Sequence, residues 1–318
     1  MSSLMMALIL ALLAADVWEY REGLGFVNRE TNERKTPKEF YEFGLKLARS
    51  RQTEDAVAVF DLILRHVTDD ELVEASRFRK GETLWSGSRF GLAYSELDEF
   101  LRLYPESSLA QRAKQLEMDS AYLIAQDGTG GGIFGDLFKS PKQGLELLRA
   151  SLQRFPREPF SGFYYYKMAR LLAGERQFDQ AENELKFVLT EYKETTEAAR
   201  AILLLGDIGL LRFDSIRYDI RGLADARRNF ERFLTESEEL SKISKEAAEF
   251  VKEKIPYAKE KLSFVYETLA EKDYVTAEYY RDRGHYRSAK IYYQSILRSF
   301  PQTTWAAQSK KRLEEIGP

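Results

Sequence analysis

Residues 37–66 read PKEFYEFGLKLARSRQTEDAVAVFDLILRH. Their apolar residues recur at helical spacing in two runs, separated by a polar break at Ser50–Thr53. Residues 74–105, EASRFRKGETLWSGSRFGLAYSELDEFLRLYP, repeat the plan. Aligning the small residues shows what recurs. Gly44 and Ala56, Gly81 and Ala93, Ala169 and Ala181, and Ala277 and Ala289 are each twelve positions apart. Four positions after each second small residue stands a large apolar one: Phe60, Leu97, Leu185 or Tyr293. Pro105 and Pro301 follow the second small residue by twelve, and Pro156 follows Gly144 by the same interval. The pattern reads as two helices that cross closely at the small residues, with the large apolar residue filling the space between neighbouring units. Proline cannot continue the second helix and so ends it.

This small–small–aromatic–Pro pattern resembles the tetratricopeptide repeat (TPR). It predicts an all-α fold, a right-handed TPR-type α-solenoid of helix–turn–helix repeats. Units are expected around 40–66, 74–105, 107–156, 162–193, 197–235 and 257–301, with a capping helix over Thr303–Ile316. The spacing also locates insertions. Asp127–Ser140 (DGTGGGIFGDLFKS) is Gly-rich and non-periodic, and a second loop falls around Arg212–Gly222. From Glu236 to about Arg281 the chain is charged and helix-favouring, with Pro256 expected to kink or break a long helix. The expected organisation is an export segment at 1–15, a lead-in at 16–36, repeats at 37–126, the insertion at 127–141, and repeats with the cap at 142–318. It forms one array with a looser joint near Gly128–Pro141.

Composition narrows the function. With 318 residues, 44% hydrophobic and 13% aromatic, the chain is too apolar for disorder, and 19 Gly with 8 Pro argue against a many-turned all-β fold. Lys+Arg number 48 against 51 Asp+Glu, a net charge of −3, so no basic excess exists to neutralise phosphates and nucleic acid is not expected as a partner. There is no Cys, and His66 and His285 lie far apart, so neither a thiol nucleophile nor a metal site is expected. Absence of thiols suits an oxidising compartment. Leu4–Ala15 (LMMALILALLAA) is uncharged and shorter than the ~20 residues a spanning helix needs. It fits a secretory apolar segment ending in small residues, although no Lys or Arg precedes Arg21. A cleaved export signal and a periplasmic location are therefore expected. The alternative is an apolar first helix packed on a cytoplasmic protein.

No catalytic constellation emerges, and neither enzyme activity nor a cofactor is expected. Gly130–Gly135 (GGGIFG) matches G-x-G-x-x-G in form only. A helix over Leu109–Ala125 precedes it where a dinucleotide site needs a strand, and Asp136 stands where a P-loop needs Lys. The carboxylates sit among Lys and Arg at solvated helical positions, and His285 (RGHYRSA) falls in a turn. What a TPR array offers is the groove face of each first helix. Phasing on the small residues nominates Tyr41, Leu45, Phe78, Glu82, Trp85, Phe163, Tyr166, Arg170, Tyr274, Glu278 and Arg281 as a protein-binding groove, rich in the aromatics and arginines that dominate interfaces. Tyr164-Tyr165-Tyr166 covers nearly the whole helix circumference, so at least one of the three should face solvent or a partner. Ile133, Phe134, Leu137 and Phe138 form an apolar loop cluster that could dock on a membrane protein or a bilayer surface.

At the C-terminus, AEYYRDRGHYRSAKIYYQSILRSFPQTTWAAQSKKRLEEI (277–316) resembles the last repeat of the BamD (YfiO) family, the TPR lipoproteins of the outer-membrane β-barrel assembly machinery. The matching steps are Tyr279-Tyr280, Arg283-Gly284, Tyr286, Ala289, Tyr292-Tyr293, Phe300-Pro301 and Thr303-Thr304, and LRLYPESSLAQRAK (Leu101–Lys114) carries the same helix-end step. VWEYREGLGFVNRE followed by Pro37 is similar to a tryptophan-and-glycine lead-in of BamD-like proteins. The resemblance implies a periplasmic scaffold that binds assembly-complex subunits and nascent β-barrel proteins. The family's acylated Cys has no counterpart here, and the stretches at 127–140 and 236–270 exceed its compact five-repeat plan. Two other readings stay open: a periplasmic TPR adaptor in envelope division or polysaccharide export, and a generic cytoplasmic TPR interaction module.

Overall fold

The structure, a computed structural model, describes residues 17–127, 140–216 and 220–317. The candidate export segment Leu4–Ala15, the Gly130–Gly135 motif and the apolar loop residues Ile133, Phe134, Leu137 and Phe138 lie outside the described residues.

A glycine on the first helix decides how each early hairpin closes. In α1 (Pro37–Arg49) and α2 (Thr53–His66), a Cβ added to Gly44 would stand 2.9 Å from both the Phe60 ring and the Val59 side chain. In α3 (Asp70–Ser86) and α4 (Phe90–Leu103), one added to Gly81 would stand 2.9 Å from Leu97. The large apolar residue four after the second small one therefore lies on the first small residue of its own hairpin. The sequence reading had placed it between neighbouring units; close helix approach puts it inside the hairpin instead.

The turns repeat with equal regularity. Seven residues after Gly44, Gly81, Ala169 and Ala277 stand Arg51 (φ 60°), Ser88 (φ 60°), Arg176 (φ 59°) and Gly284 (φ 76°), all left-handed. Each donates its N–H to the carbonyl three back, and the next residue donates to the carbonyl five back, as in Gln52→Leu47 (3.0 Å) and His285→Tyr280 (2.9 Å). This is a Schellman-type stop, and His285 serves it through its backbone.

The chain continues through α5 (Ala110–Asp127), α6 (Pro141–Arg154), α7 (Ser161–Gly174), α8 (Phe178–Glu191), α9 (Thr196–Arg212), α10 (Arg221–Thr235), α11 (Ser237–Lys242), α12 (Lys245–Asp282), α13 (Tyr286–Ser299) and α14 (Thr304–Ile316). It divides into two compact units, Met1–Tyr164 and Tyr165–Pro318, with the division inside α7 rather than at the Gly-rich stretch. In the first unit consecutive helices pack from α1 to α6, and α1 also touches α3, as α3 touches α5. In the second, α9 packs on α10, α10 on α12, α12 on α13 and α13 on α14; α9 also meets α12, and α12 meets α14. Contact between alternate helices as well as consecutive ones is the mark of an all-α solenoid.

Two features depart from the sequence reading. The lead-in is a three-stranded antiparallel sheet, β1 (Trp18–Arg21), β2 (Gly25–Asn28) and β3 (Arg34–Lys35). Its apolar residues are buried against the first hairpin: Phe26 stacks on Phe40 at 4.0 Å, and Trp18 lies 5.3 Å from the same ring. Secondly, α12 runs for 38 residues straight through Pro256 without a break. Pro256 is exposed, so its ring sits toward solvent, while Val251, Ala258, Leu262 and Val265 anchor the buried face on either side.

Candidate functional site: two helix-face grooves

The residue immediately after the first small residue of each hairpin has the same fate throughout. Leu45, Glu82, Arg170, Asp207 and Glu278 occupy this position on α1, α3, α7, α9 and α12, and none is buried. The small residue faces the second helix of the hairpin, so a rotation of about 100° carries the next side chain to the open face. Four of these five are groove residues nominated from sequence. Asp207 was missed because the longer α9–α10 loop hides the spacing of Gly206 from Phe230, the ring that packs on it 2.7 Å from an added Cβ.

In the first unit, Leu45, Ala48 and Arg49 of α1 and Arg79, Glu82, Thr83, Trp85 and Ser86 of α3 line an open groove of about 320 Å³. Arg79 donates to Glu82 at 2.5 Å, with Tyr41 close enough to favour its charge. Burial works against the Arg79 charge, yet Glu82 and Tyr41 leave its pKa raised. Of the nominated residues, Leu45, Glu82 and Trp85 line this groove, and Tyr41 lies beside Arg79. Phe78 does neither: it is 1% exposed and lies 5.6 Å from the Phe100 ring of α4. It stands three residues before Gly81, on the face that meets α4, whereas its neighbour Arg79 reaches the groove. Phe163 also belongs to neither groove; it lies edge-on to Tyr164 at 5.2 Å.

In the second unit a longer groove of about 520 Å³ runs across three helices. Tyr166, Arg170, Ala173 and Gly174 of α7, Arg200, Leu203, Leu204, Asp207 and Leu211 of α9, and Phe250, Lys254 and Tyr257 of α12 line it. Each set recurs at three- to four-residue spacing, one stripe per helix. Tyr257 donates to Asp207 Oδ1 at 2.8 Å. Burial raises the Asp207 pKa, against the Tyr257 hydrogen bond and the nearby Lys261 and Lys254 charges. Arg200 is held by Glu197 (2.8 Å) and Glu246 (2.5 Å) and lies over the Phe250 ring at 5.6 Å. The tyrosine run divides its labour. Tyr164 donates to Asp119 of α5 at 2.6 Å, Tyr165 packs on Phe187 of α8 at 4.5 Å, and Tyr166 faces the groove.

The nominees at the C-terminus are occupied internally. Tyr274 is buried between Tyr293 of α13 (5.6 Å) and Trp305 of α14 (5.0 Å), because the capping helix lies on the face that phasing had left open. Glu278 pairs with Arg281 at 2.7 Å and Arg312 at 3.2 Å and accepts from the Tyr293 hydroxyl. Tyr274 and Glu278 tie α12 to α13 and α14, whereas Arg281 pairs with Glu278 and Asp282 of its own helix.

One buried polar cluster was not foreseen. Glu117 of α5 is fully buried and accepts from Ser151 and Arg154 of α6, while Arg154 also pairs with Asp98 of α4. Burial pushes the Glu117 carboxyl up to about 7 despite those donors. Burial, followed by the Glu117 charge, also pushes the adjacent Tyr94 hydroxyl up to about 12. Glu117 sits inside the stack while Arg154 and Asp98 reach solvent at its edge, and none of them lines either groove.

The class of protein follows: an all-α chain of stacked TPR-type hairpins whose first helices present stripes of mixed aromatic and charged side chains. No helix among the described residues is long and apolar enough to cross a membrane. No protein-family model matches the sequence, and no curated protein matches it. Among solved structures it is similar to the MamA RS-1 ArsTM double mutant, at 17% identity over 63% of this chain and 93% of that one, TM-score 0.39. MamA from residue 41 to its end, from Desulfovibrio magneticus RS-1, gives 16% identity, the same coverages and a TM-score of 0.38. PilW, described as a widely conserved type IV pilus biogenesis factor, gives 14% identity over 86% of this chain and 97% of that one, TM-score 0.33.

Proposed function

We propose that this protein is an exported, BamD-like scaffold that acts in outer-membrane β-barrel assembly by binding alone. It holds the barrel-assembly protein, nascent β-barrel segments or both, from the periplasmic side of the outer membrane. The observation that carries the reading is the C-terminal stretch 277–316. Its resembling residues fall on one hairpin and cap: Gly284 takes the left-handed turn, Ala289 and Tyr293 are buried, and the Thr303 side chain caps α14. Tyr279 and Tyr286 are 51% and 53% exposed, and Arg283 stacks over Tyr279 at 3.6 Å. A patch of exposed tyrosine and arginine suits a protein partner.

Cell fractionation with affinity purification from detergent extract tests the proposal. The expected result is recovery in the envelope fraction with a large outer-membrane β-barrel protein. Recovery in the cytosol, or with division or polysaccharide-export proteins and no β-barrel protein, overturns it.

A further inference from the structure

The second helices of the hairpins differ on their outer faces. In α13, Arg287 stands two residues before the second small residue, Ala289, and Ile291, Gln294 and Arg298 follow it; all four are exposed. Intervals of four, three and four residues place them in one stripe, roughly 16 Å long. Ala289, Tyr293 and Ile296 are buried on the opposite face.

The same stripe on the other second helices has a different composition. At the position of Arg287, α2, α4 and α8 carry Glu54, Gly91 and Asp179. At the position of Ile291 they carry Ala58, Ser95 and Asn183. Only α13 of these four combines cations with a large apolar side chain, and it contains no carboxylate. The neighbouring carboxylates Glu278, Asp282 and Glu315 of α12 and α14 are engaged with Arg281 and Arg312. Among the described residues, Arg287, Lys290 and Arg298 form no ion pair with a carboxylate. Ile291 is 60% exposed, and Tyr286, at the start of the helix, is 53% exposed.

The core of a protein interface is depleted in charge, whereas here a single aliphatic residue stands between two arginines. A phosphate backbone alone would leave Ile291 in water. A bilayer supplies both halves of the match, a layer of phosphates and an apolar layer directly beneath it.

We propose that α13 lays its outer stripe on an anionic phospholipid bilayer. Arg287, Lys290 and Arg298 meet the headgroup phosphates, while Ile291 and Tyr286 enter the interfacial layer. The proposal goes beyond the scaffold reading and does not depend on it. Tyr279 and Arg283 stand on the α12 side of the turn and stay available to a protein partner.

Vesicle flotation of the full chain tests it, with vesicles of phosphatidylcholine alone and of phosphatidylcholine containing about one third phosphatidylglycerol. The anionic vesicles are expected to be bound about tenfold more tightly at low salt, with the gap closing as salt rises. The Arg287→Glu/Arg298→Glu double variant, its fold checked by circular dichroism, should lose that preference. Ile291→Ser should weaken binding to anionic vesicles several-fold while keeping the preference for them. Equal binding to both vesicles, or binding to neither, overturns the proposal. So does an unchanged preference in the double variant, which would place the contact elsewhere on the chain, and so does full binding by Ile291→Ser. Loss of a co-purifying protein in the double variant, with no vesicle binding by wild type, would assign the stripe to a protein surface and also overturn it. The vesicles contain no protein, so co-purification of a β-barrel protein is a separate result.

Discussion

Both carboxylate oxygens of Glu117 accept from one guanidinium nitrogen of Arg154, at 2.6 and 2.5 Å, with the glutamate fully buried between α4, α5 and α6. Removing Arg154 costs more than the contact contributes, because the buried Glu117 is left without its partner.

This pair gives the first unit a pH signature. Burial raises the Glu117 pKa from 4.5 to about 7. A carboxyl raised on folding stabilises the fold fully below its unfolded pKa, and that contribution is lost as pH rises through about 7. Its full size is at most on the order of 3 kcal/mol. Urea unfolding at pH 5 and pH 8 should show wild type losing more stability with rising pH than Glu117→Gln does. Arg154→Met should cost more at pH 8 than at pH 5.

The turn geometry makes a second prediction. Nothing lies within 4 Å of a Cβ at Gly284, so Gly284→Ala tests the backbone alone. It should cost about 1 kcal/mol. Ser88→Gly and Arg176→Gly, at equivalent left-handed positions, should be neutral or stabilising by a few tenths of a kcal/mol, since relief of strain is offset by added freedom in the unfolded chain. Thermal melts of the three variants check the ranking.

Close helix approach ranks a third set. A Cβ at Gly144 would meet backbone atoms of Ala125, the nearest at 2.2 Å, whereas at Gly81 it meets the Leu97 side chain. Backbone cannot give way by a rotamer change. Gly144→Ala should therefore destabilise by roughly 1–3 kcal/mol, and Gly81→Ala by less, even after the gain of up to ~1 kcal/mol in helix propensity.

Pro256 supplies a fourth. It lies inside α12 and is exposed, so its missing N–H forfeits one helical bond without compensating packing. Pro256→Ala should raise stability by about 1–3 kcal/mol in urea unfolding, with no loss of binding at the groove.

Much of this architecture was legible because one constraint, close crossing at small residues, repeats at fixed spacing. Gly44, Gly81, Ala169 and Ala277 set the phase of four hairpins, and the residue after each lies unburied. The same phase misplaced Phe78 and Tyr274, three residues before the small position, where packing of the neighbouring helix decides exposure. α14 covers Tyr274; nothing in α12 alone announces that. The sheet at 18–35 carried a readable signal in WEYREGLGFVN, whose alternation and Gly23 and Gly25, both at positive φ, mark a hairpin. Arg200 was missed because α9 lacks the twelve-residue marker, and Phe250, Lys254 and Tyr257 because the marker of α12, Ala277, lies near the far end of that long helix, although the three- to four-residue spacing is present in the sequence.

The most direct test of the central claim, that the first-helix faces hold the partner, is photo-crosslinking in cells. A crosslinking amino acid is placed at Leu45 and Leu204 in the two grooves, and at exposed Arg228 of α10 as a control. Adducts to an outer-membrane β-barrel protein or a subunit of its assembly complex are expected from positions 45 and 204, and none from 228. Adducts to such a protein from 228 alone, or none from either groove, would contradict it.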